Sequence, residues 1–234
     1  MKNNLFVFYS IIFFLLINLN LFAQELEINS TKVQYDNADQ VSIFQDNVSA
    51  KDQKGNELFT EYAKHKNLEE IIETKGYTKI ITSGGYEVIG SDVTLDNKKG
   101  IIYSNNDTKI IDKDGNIISV ELFNYSIQTN IFFSKGKIKV KDINQNEYNF
   151  SEIYIDEKKK KIIGSDIKAY LNQTDFLTNA DNEPRFFSNT MSLSKDTNTF
   201  DKGVFTYCSN RGDDKCPPWT LQSKKIRHDL AKKT

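Results

Sequence analysis

The sequence predicts an all-β fold in which stacked antiparallel strands, built from a repeat of about thirty residues, form an elongated β-jellyroll or β-taco. Three observations support this. Turn sequences recur every thirty residues, and a column of aspartates recurs every sixty. The intervening segments alternate Ile, Val, Thr, Tyr and Phe with Lys, Asp and Asn. Because a unit of two strands cannot bury its own apolar face, neighbouring units must stack into one continuous core.

The first column of the repeat consists of turns. Gly55, Gly85 and Gly115 are thirty residues apart, and Gln145 occupies the next slot. In three of these turns an Asp stands three residues earlier, where its side chain can accept hydrogen bonds from the turn backbone; the second turn has Thr82 there. Glycine supplies the positive φ that the last position requires. We therefore expect a tight turn at each slot.

The second column consists of Asp36, Asp96 and Asp156, each directly after a short alternating run. Recurring aspartates can form a calcium ladder or an acid pair. However, Lys66 and Ser126 fall in or beside the intervening slots, which disfavours both functions. We interpret these aspartates as the first residues of turns.

Five units fit between residues 31 and 173, each a strand, a turn, a longer strand with a polar bend, and a second turn. The longer apolar stretches begin near Val41, Ile71, Ile101, Ile131 and Ile162. The bends are predicted at Asp46-Asn47, Lys75-Gly76, Asn105-Asn106, Lys135-Gly136 and Ser165-Asp166. Residues 64–73 have a helix-compatible composition, but their register with the other units predicts a strand.

Residues 1–23 are typical of a signal peptide. Lys2 precedes an apolar run from Leu5 to Leu21, and Ala23 provides a small residue at the end. The alternative is a retained transmembrane anchor, because the run approaches membrane-spanning length. The sequence therefore predicts export, with a folded domain over 24–202 and a linker over 203–234.

The composition excludes several function classes. With 31 basic and 32 acidic side chains, the chain lacks the basic excess that nucleic-acid binding requires. Two His and two Cys provide too few ligands for a His-based or four-thiolate metal centre. No catalytic triad, P-loop or zinc signature is present, so we expect no enzyme activity, no catalytic residues, no metal and no cofactor.

Residues 203–229 contain a Tyr207-Cys208 start, a polar loop, Pro217-Pro218-Trp219 followed by an aliphatic residue, and an Ile226–Asp229 close. This segment resembles the one that joins the periplasmic domain to the barrel in the OstA-like family of lipopolysaccharide-assembly outer-membrane proteins (LptD). The repeats, which open with Lys32–Asp36, resemble the periplasmic domain of the same family. The resemblance covers nearly all of the chain after the signal peptide.

The resemblance implies a periplasmic β-jellyroll, associated with the outer membrane, that carries lipopolysaccharide acyl chains in its interior. The implied partners are lipopolysaccharide, a bridge protein of the same fold docked edge to edge, and an outer-membrane barrel with its plug lipoprotein. In the family, residues equivalent to 203–234 lead into that barrel; no barrel strands follow them in this sequence.

The interior of such a stack is either a filled core or an apolar conduit, and periodicity alone leaves both open. Apolar residues that share repeat columns are the candidate acyl-chain contacts: Val41, Ile43, Ile71, Ile101, Tyr103, Ile131, Phe133, Ile138 and Val140. Alternation places residues of one strand on one face but does not identify the inner face. A register error of one residue would exchange Ile131 and Phe133 for Phe132.

Three further features have two interpretations each. Cys208 and Cys216 can form a local disulfide across their loop, whereas the resemblance implies bonds to barrel cysteines. Trp219 can pack on the end of the sheet or lie at a membrane interface. The run Lys158–Lys161 is a solvated turn or a contact for lipid phosphates.

Two other functions remain open besides outer-membrane assembly: a free-standing periplasmic bridge protein of the same fold, and a β-repeat protein that acts on polysaccharide or is purely structural.

Overall fold

The computed structural model describes residues 26–172, 183–208, 218–229 and 232, and the chain in these ranges is all-β. The strands are β1 (Glu27–Asn29), β2 (Lys32–Asp36), β3 (Val41–Lys51), β4 (Glu57–Lys66), β5 (Ile71–Thr74), β6 (Tyr77–Ile81), β7 (Glu87–Ser91), β8 (Thr94–Asp96), β9 (Ile101–Ser104), β10 (Thr108–Ile111), β11 (Ile117–Val120), β12 (Phe123–Ser126), β13 (Ile131–Lys141), β14 (Glu147–Asp156), β15 (Lys161–Tyr170), β16 (Arg185–Leu193), β17 (Thr197–Thr206) and β18 (Leu221–Asp229). Among the described residues, no helix is long and apolar enough to cross a membrane.

The strands form one antiparallel sheet folded into two layers. The first layer joins β2, β5, β8, β9 and β12 with one half of each long strand. The second layer joins β1, β6, β7, β10 and β11 with the other halves. The long strands β3, β4 and β13 to β18 run through both layers and bend where they cross. The result is a stack of V-shaped strands with their bends aligned along one side.

The predicted bends are present. Positive φ occurs at Asp46, Asn47, Gly76, Gly136 and Asp166, in four of the five slots of the thirty-residue column. The remaining predicted bend, Asn105-Asn106, lies between β9 and β10. Asparagine, aspartate and glycine tolerate this backbone region better than other residues, which is why the bends are readable from sequence.

The predicted turns are present as well. Gly55, Gly85, Gly115 and Gln145 all have positive φ, between 67° and 91°. In each turn the amide of this residue donates to the carbonyl oxygen three residues earlier, at 2.9 to 3.1 Å. These bonds close the hairpins of the second layer.

Asparagines link successive turns. The Asn116 amide nitrogen donates to Asp112 Oδ2 at 2.7 Å, and Asn116 Oδ1 accepts from the Ile143 amide at 3.2 Å. Asn56 makes equivalent bonds to its own turn and to the turn that follows, and Asn146 bonds to its own turn and accepts from the Asn172 amide. These side chains tie one repeat to the next along the edge of the second layer.

The aspartates of the second column begin turns, as predicted. One carboxylate oxygen of Asp36, Asp96 and Asp156 accepts a backbone amide two or three residues later, at 2.9 Å in each case. Hydrogen bonds from the Lys99 side chain and backbone lower the pKa of Asp96. Turn chemistry therefore accounts for the column.

Residues 64–73 do not form a single strand as predicted. β4 ends at Lys66, residues 67–70 form a turn with positive φ at Glu70, and β5 begins at Ile71. The turn joins two strands of the first layer, Ala63–Lys66 pairing with Ile71–Thr74. The repeat register was right for the ends of this segment, but its polar middle is the hairpin turn.

The sheet continues past residue 203, because β17 runs from Thr197 to Thr206 and pairs with β18. The predicted division into a domain over 24–202 and a linker over 203–234 stays a prediction. The predicted signal peptide, residues 1–23, lies outside the described residues.

Candidate functional site

The space between the two layers is apolar, and its side chains become more exposed with distance from the bends. Close to the bends, side chains from both layers form one large buried cluster: Ile80, Val93, Ile110, Val120, Phe123, Phe132, Ile138, Phe150, Ile153, Ile167 and Met191. A smaller buried cluster at the amino-terminal end contains Val48, Ala63 and Ile72. The bend side of the V is thus a filled core.

Further from the bends, the inner faces are apolar but only partly buried. These side chains pack against the large cluster: Leu58, Tyr86, Val88, Ile102, Ile118, Tyr125, Val140, Tyr148, Ile155, Ile162, Leu193 and Phe200. Leu26, Ile28, Phe44 and Leu95 continue the lining beside the smaller cluster. We call this partly exposed inner surface the trough. It extends from β1 to β17 and opens on the side opposite the bends.

A line of buried hydroxyl groups supports the bends. Where a strand bends, its ladder is interrupted and carbonyl groups lose their partners. Side-chain hydroxyls replace those partners: Thr60 donates to the Tyr77 carbonyl, Thr74 to Val93, Ser104 to Ser91, Ser134 to Leu122 and Ser188 to Asp201. All five side chains are buried. These five hydrogen bonds stabilise the bends of the V-shaped strands.

The structure places two of the nine candidate acyl-chain contacts inside. Ile138 is 2 % exposed in the large cluster, and Val140 lines the trough. Phe132 also faces inward, in agreement with the register alternative.

The other seven candidates lie on the outer face of the first layer, a choice of face that the sequence had left open. They are Val41, Ile43, Ile71, Ile101, Tyr103, Ile131 and Phe133, and polar residues are common among their cross-strand neighbours. Ile131 pairs with Asp156, and the Phe133 ring packs on Tyr154 with centroids 4.5 Å apart. Their role as lipid contacts stays untested, but they do not line the trough.

For Ile131 and Phe133 the outward position has a physical cause in the bend of β13. The register shifts between Lys135 and Ile138, because β13 has one residue more there than β14. As a result, even-numbered residues face inward on both sides of this bend, whereas the inward set of β14 changes from Phe150 to Ile153. Which alternate residues face inward after a bend depends on this extra residue, and the pattern of apolar residues does not show it.

The hydroxyl line was also missed from the sequence, although a signal for it exists. Thr74, Ser104 and Ser134 are thirty residues apart, and Gly164 occupies the next slot. At Gly164 an added Cβ would lie 2.8 Å from the Phe150 ring, so the ring fills the space that a hydroxyl side chain takes elsewhere. In these four units a small or hydroxyl residue marks the inner side of the bend, whereas the first unit has Phe44 in this column.

The mouth of the trough carries polar groups. Tyr125 donates its hydroxyl hydrogen to Glu157 Oε2 at 3.2 Å and accepts from the Asn130 amide at 3.3 Å. Burial, followed by the nearby Glu157 carboxylate, raises the pKa of Tyr125 to about 12. Tyr148 donates to Asp142 Oδ2 at 3.1 Å on the other layer. The trough therefore combines an apolar interior with hydrogen-bonding edges.

Both ends of the stack expose strand edges and apolar side chains. At the amino-terminal end, Val33 and Tyr35 of β2 are 60 % and 51 % exposed. At the other end, Leu221 of β18 is 65 % exposed on the inner face. Within the described residues β1, β2 and β18 each pair on one side, so their other edges can accept a further strand.

The remaining predicted features have simple surroundings. Lys158 donates to the Gln128 carbonyl at 2.8 Å, and Lys159 pairs with Asp156 at 3.3 Å, so part of the lysine run stabilises turns. Trp219 is half exposed, its ring 6.3 Å from that of Phe205. Cys208 is half-buried after β17, and Cys216 lies outside the described residues, so their disulfide stays a prediction. Among the described residues no group of three or more His, Cys, Asp or Glu is arranged to hold a metal ion.

Comparisons with known proteins show structural likeness to solved structures. No protein-family model matches the chain. No curated protein matches it by sequence. Among solved structures, the chain is similar to LptH, the LptA-homologous periplasmic component of the lipopolysaccharide transport device of Pseudomonas aeruginosa. The match has a TM-score of 0.43 and 16 % identity, and covers 48 % of this chain and 82 % of LptH.

Proposed function

We propose that this protein is a non-enzymatic carrier that shields acyl chains of an amphiphile in the trough. One observation carries the proposal: the inner faces of the two layers remain apolar where they are partly exposed, over most of the stack. A protein that needed only a core would gain nothing from an apolar surface that continues to the mouth. The two layers are joined through the long strands at their bends, so we expect a chain to enter and leave on the opposite side without unfolding of the sheet.

The driving force is burial of methylene groups, at about 0.8 kcal/mol for each CH₂ removed from water. Because apolar side chains, both aliphatic and aromatic, line the trough along its length, the affinity for an acyl chain changes little with position. A chain can therefore slide along it, which a closed pocket would prevent. The energy for directional movement must come from a partner.

The finer proposal is that the amphiphile is lipopolysaccharide and that the chain acts at the outer membrane. The support is the sequence resemblance of residues 32–36 and 203–229 to the OstA-like LptD family. In this proposal the protein is exported to the periplasm, and the edges of β1 and β2 receive a bridge protein of the same fold. The end at β18 then faces an outer-membrane barrel with its plug lipoprotein. The exposed apolar residues at both ends fit such continuation of the trough.

A matched pair of substitutions tests the carrier function. Ile102 lines the trough, whereas its neighbour Ile101 lies on the outer face opposite Asp96 and Ser126. We expect Ile102→Glu to abolish binding of purified lipopolysaccharide by residues 24–234 and Ile101→Glu to retain it, with circular dichroism showing that both variants fold. Equal binding by the two variants, or no binding by the unmodified chain, would contradict the proposal.

A further inference from the structure

A group of polar side chains stands at the mouth of the trough midway along the stack. Tyr86, Tyr125, Asn130 and Glu157, which we call the rim cluster, are all half-buried. Tyr125 and Tyr86 pack their rings against the large apolar cluster. The hydroxyl of Tyr125 lies 3.2 Å from Glu157 and 3.3 Å from the Asn130 amide. The rim cluster therefore places hydrogen-bonding groups directly above the apolar lining.

Tyr86 departs from the repeat at this point. The equivalent residues Asn56, Asn116 and Asn146 use their amides to tie one turn to the next. Tyr86 instead stands on the inner face of the second layer, next to Val88 in the lining. Burial raises the pKa of Tyr86, and the carboxylates of Glu157 in the first layer and of Asp112 and Asp114 in the second add to this. At this position of the repeat, Tyr86 places a phenol at the mouth in place of an asparagine that would join two turns.

We propose that the rim cluster binds the headgroup of the carried amphiphile, and that the part of the headgroup bound there is an uncharged, hydroxyl-bearing group such as a sugar rather than a phosphate. This inference rests on the proposed carrier function. Phenols, an amide and a carboxylate together donate to and accept from hydroxyl groups. The Glu157 carboxylate, which lies 3.2 Å from the Tyr125 hydroxyl, repels an anion.

The geometry also orients the ligand. Tyrosine has an apolar ring and a polar tip, so its ring belongs to the trough and its hydroxyl to the mouth. An acyl chain in contact with Ile102 and Phe132, the cross-strand neighbours of Tyr125, passes these rings before its headgroup reaches the hydroxyls. Tyr125 donates its hydroxyl hydrogen to Glu157, so its oxygen is oriented to accept a hydrogen bond from a hydroxyl group of the ligand.

Two soluble amphiphiles with the same chain test the inference: dodecyl glucoside and dodecyl phosphate, each titrated below its micelle concentration into residues 24–234. We expect the glucoside to bind more tightly. Tyr125→Phe should weaken glucoside binding about 3- to 10-fold, the range that loss of one hydrogen bond produces. Glu157→Gln should strengthen dodecyl phosphate binding. The control Tyr154→Phe, on the outer face, should change neither affinity.

A third ligand, dodecanol, separates failure of this inference from failure of the carrier function. If dodecanol binds but the phosphate binds as well as the glucoside, or Tyr125→Phe has no effect, the rim cluster does not select the headgroup. If none of the three ligands binds to folded protein, the carrier function itself is wrong.

Discussion

The hydroxyl line at the bends makes a quantitative prediction for Ser134. Its side chain is fully buried, and its hydroxyl donates to the Leu122 carbonyl at 2.7 Å. Replacing Ser134 by alanine removes only the oxygen atom and leaves that carbonyl without this donor. A buried polar group left unsatisfied costs about 1–3 kcal/mol. We therefore expect Ser134→Ala to lower the free energy of unfolding by about 2 kcal/mol.

Urea denaturation followed by circular dichroism measures this change, and thermal unfolding gives a second reading. For a chain of this size, 1 kcal/mol corresponds to about 2–4 °C in Tm, so the expected decrease is roughly 4–8 °C. Ser119→Ala is the matched control, because Ser119 is exposed on the outer face of β11. Its effect should stay within about 0.5 kcal/mol. Equal effects of the two substitutions would refute the role assigned to the hydroxyl line.

Three other predictions concern single sites. Gly164→Ala should destabilise the fold by about 1–3 kcal/mol, since the new Cβ would lie 2.8 Å from the Phe150 ring; Gly84→Ala, where the nearest atom is 3.5 Å away, is the control for denaturant titration. Asn116→Ala should cost about 1–2 kcal/mol and increase hydrogen exchange in the two turns that Asn116 joins, and unchanged exchange there would argue against the asparagine link. Burial lowers the pKa of His65 below 6.5 in the folded chain. The unfolded chain therefore binds a proton at a higher pH than the folded chain does, and stability should decrease as pH falls below 6.5. His65→Gln should lose part of the stability difference between about pH 7.5 and 5.5 measured by urea denaturation, and an identical difference in both proteins would contradict this.

The turns and bends were predictable because each depends on local chemistry. Positive φ at Gly76 and Gly136, and side-chain hydrogen bonding at Asp96, restrict which residues can stand there. The inner face was not predictable in the same way. It depends on the number of residues in each bend, as the extra residue of β13 shows. A pattern of apolar residues does not record that number.

The candidate site was predictable in kind but not in detail. The repeat indicated an apolar interior, and Ile138 and Val140 lie there. The rim cluster was not found, because Tyr125 and Glu157 are 32 residues apart and meet only when two units stack. Tyr86 stands where the equivalent residues are asparagines. That difference points to a function only when the structure shows that the asparagine amides join neighbouring turns.

The central claim, that acyl chains lie between the two layers, is tested most directly by site-specific photocrosslinking to lipopolysaccharide. Two cross-strand pairs on the same two strands allow the inner and outer faces to be compared. Ile155 pairs with Ile162 on the inner face, and Tyr154 pairs with Ile163 on the outer face. The trough predicts adducts when the photoreactive residue replaces Ile155 or Ile162, and none when it replaces Tyr154 or Ile163. Adducts at all four positions, or only at Tyr154 and Ile163, would contradict the claim.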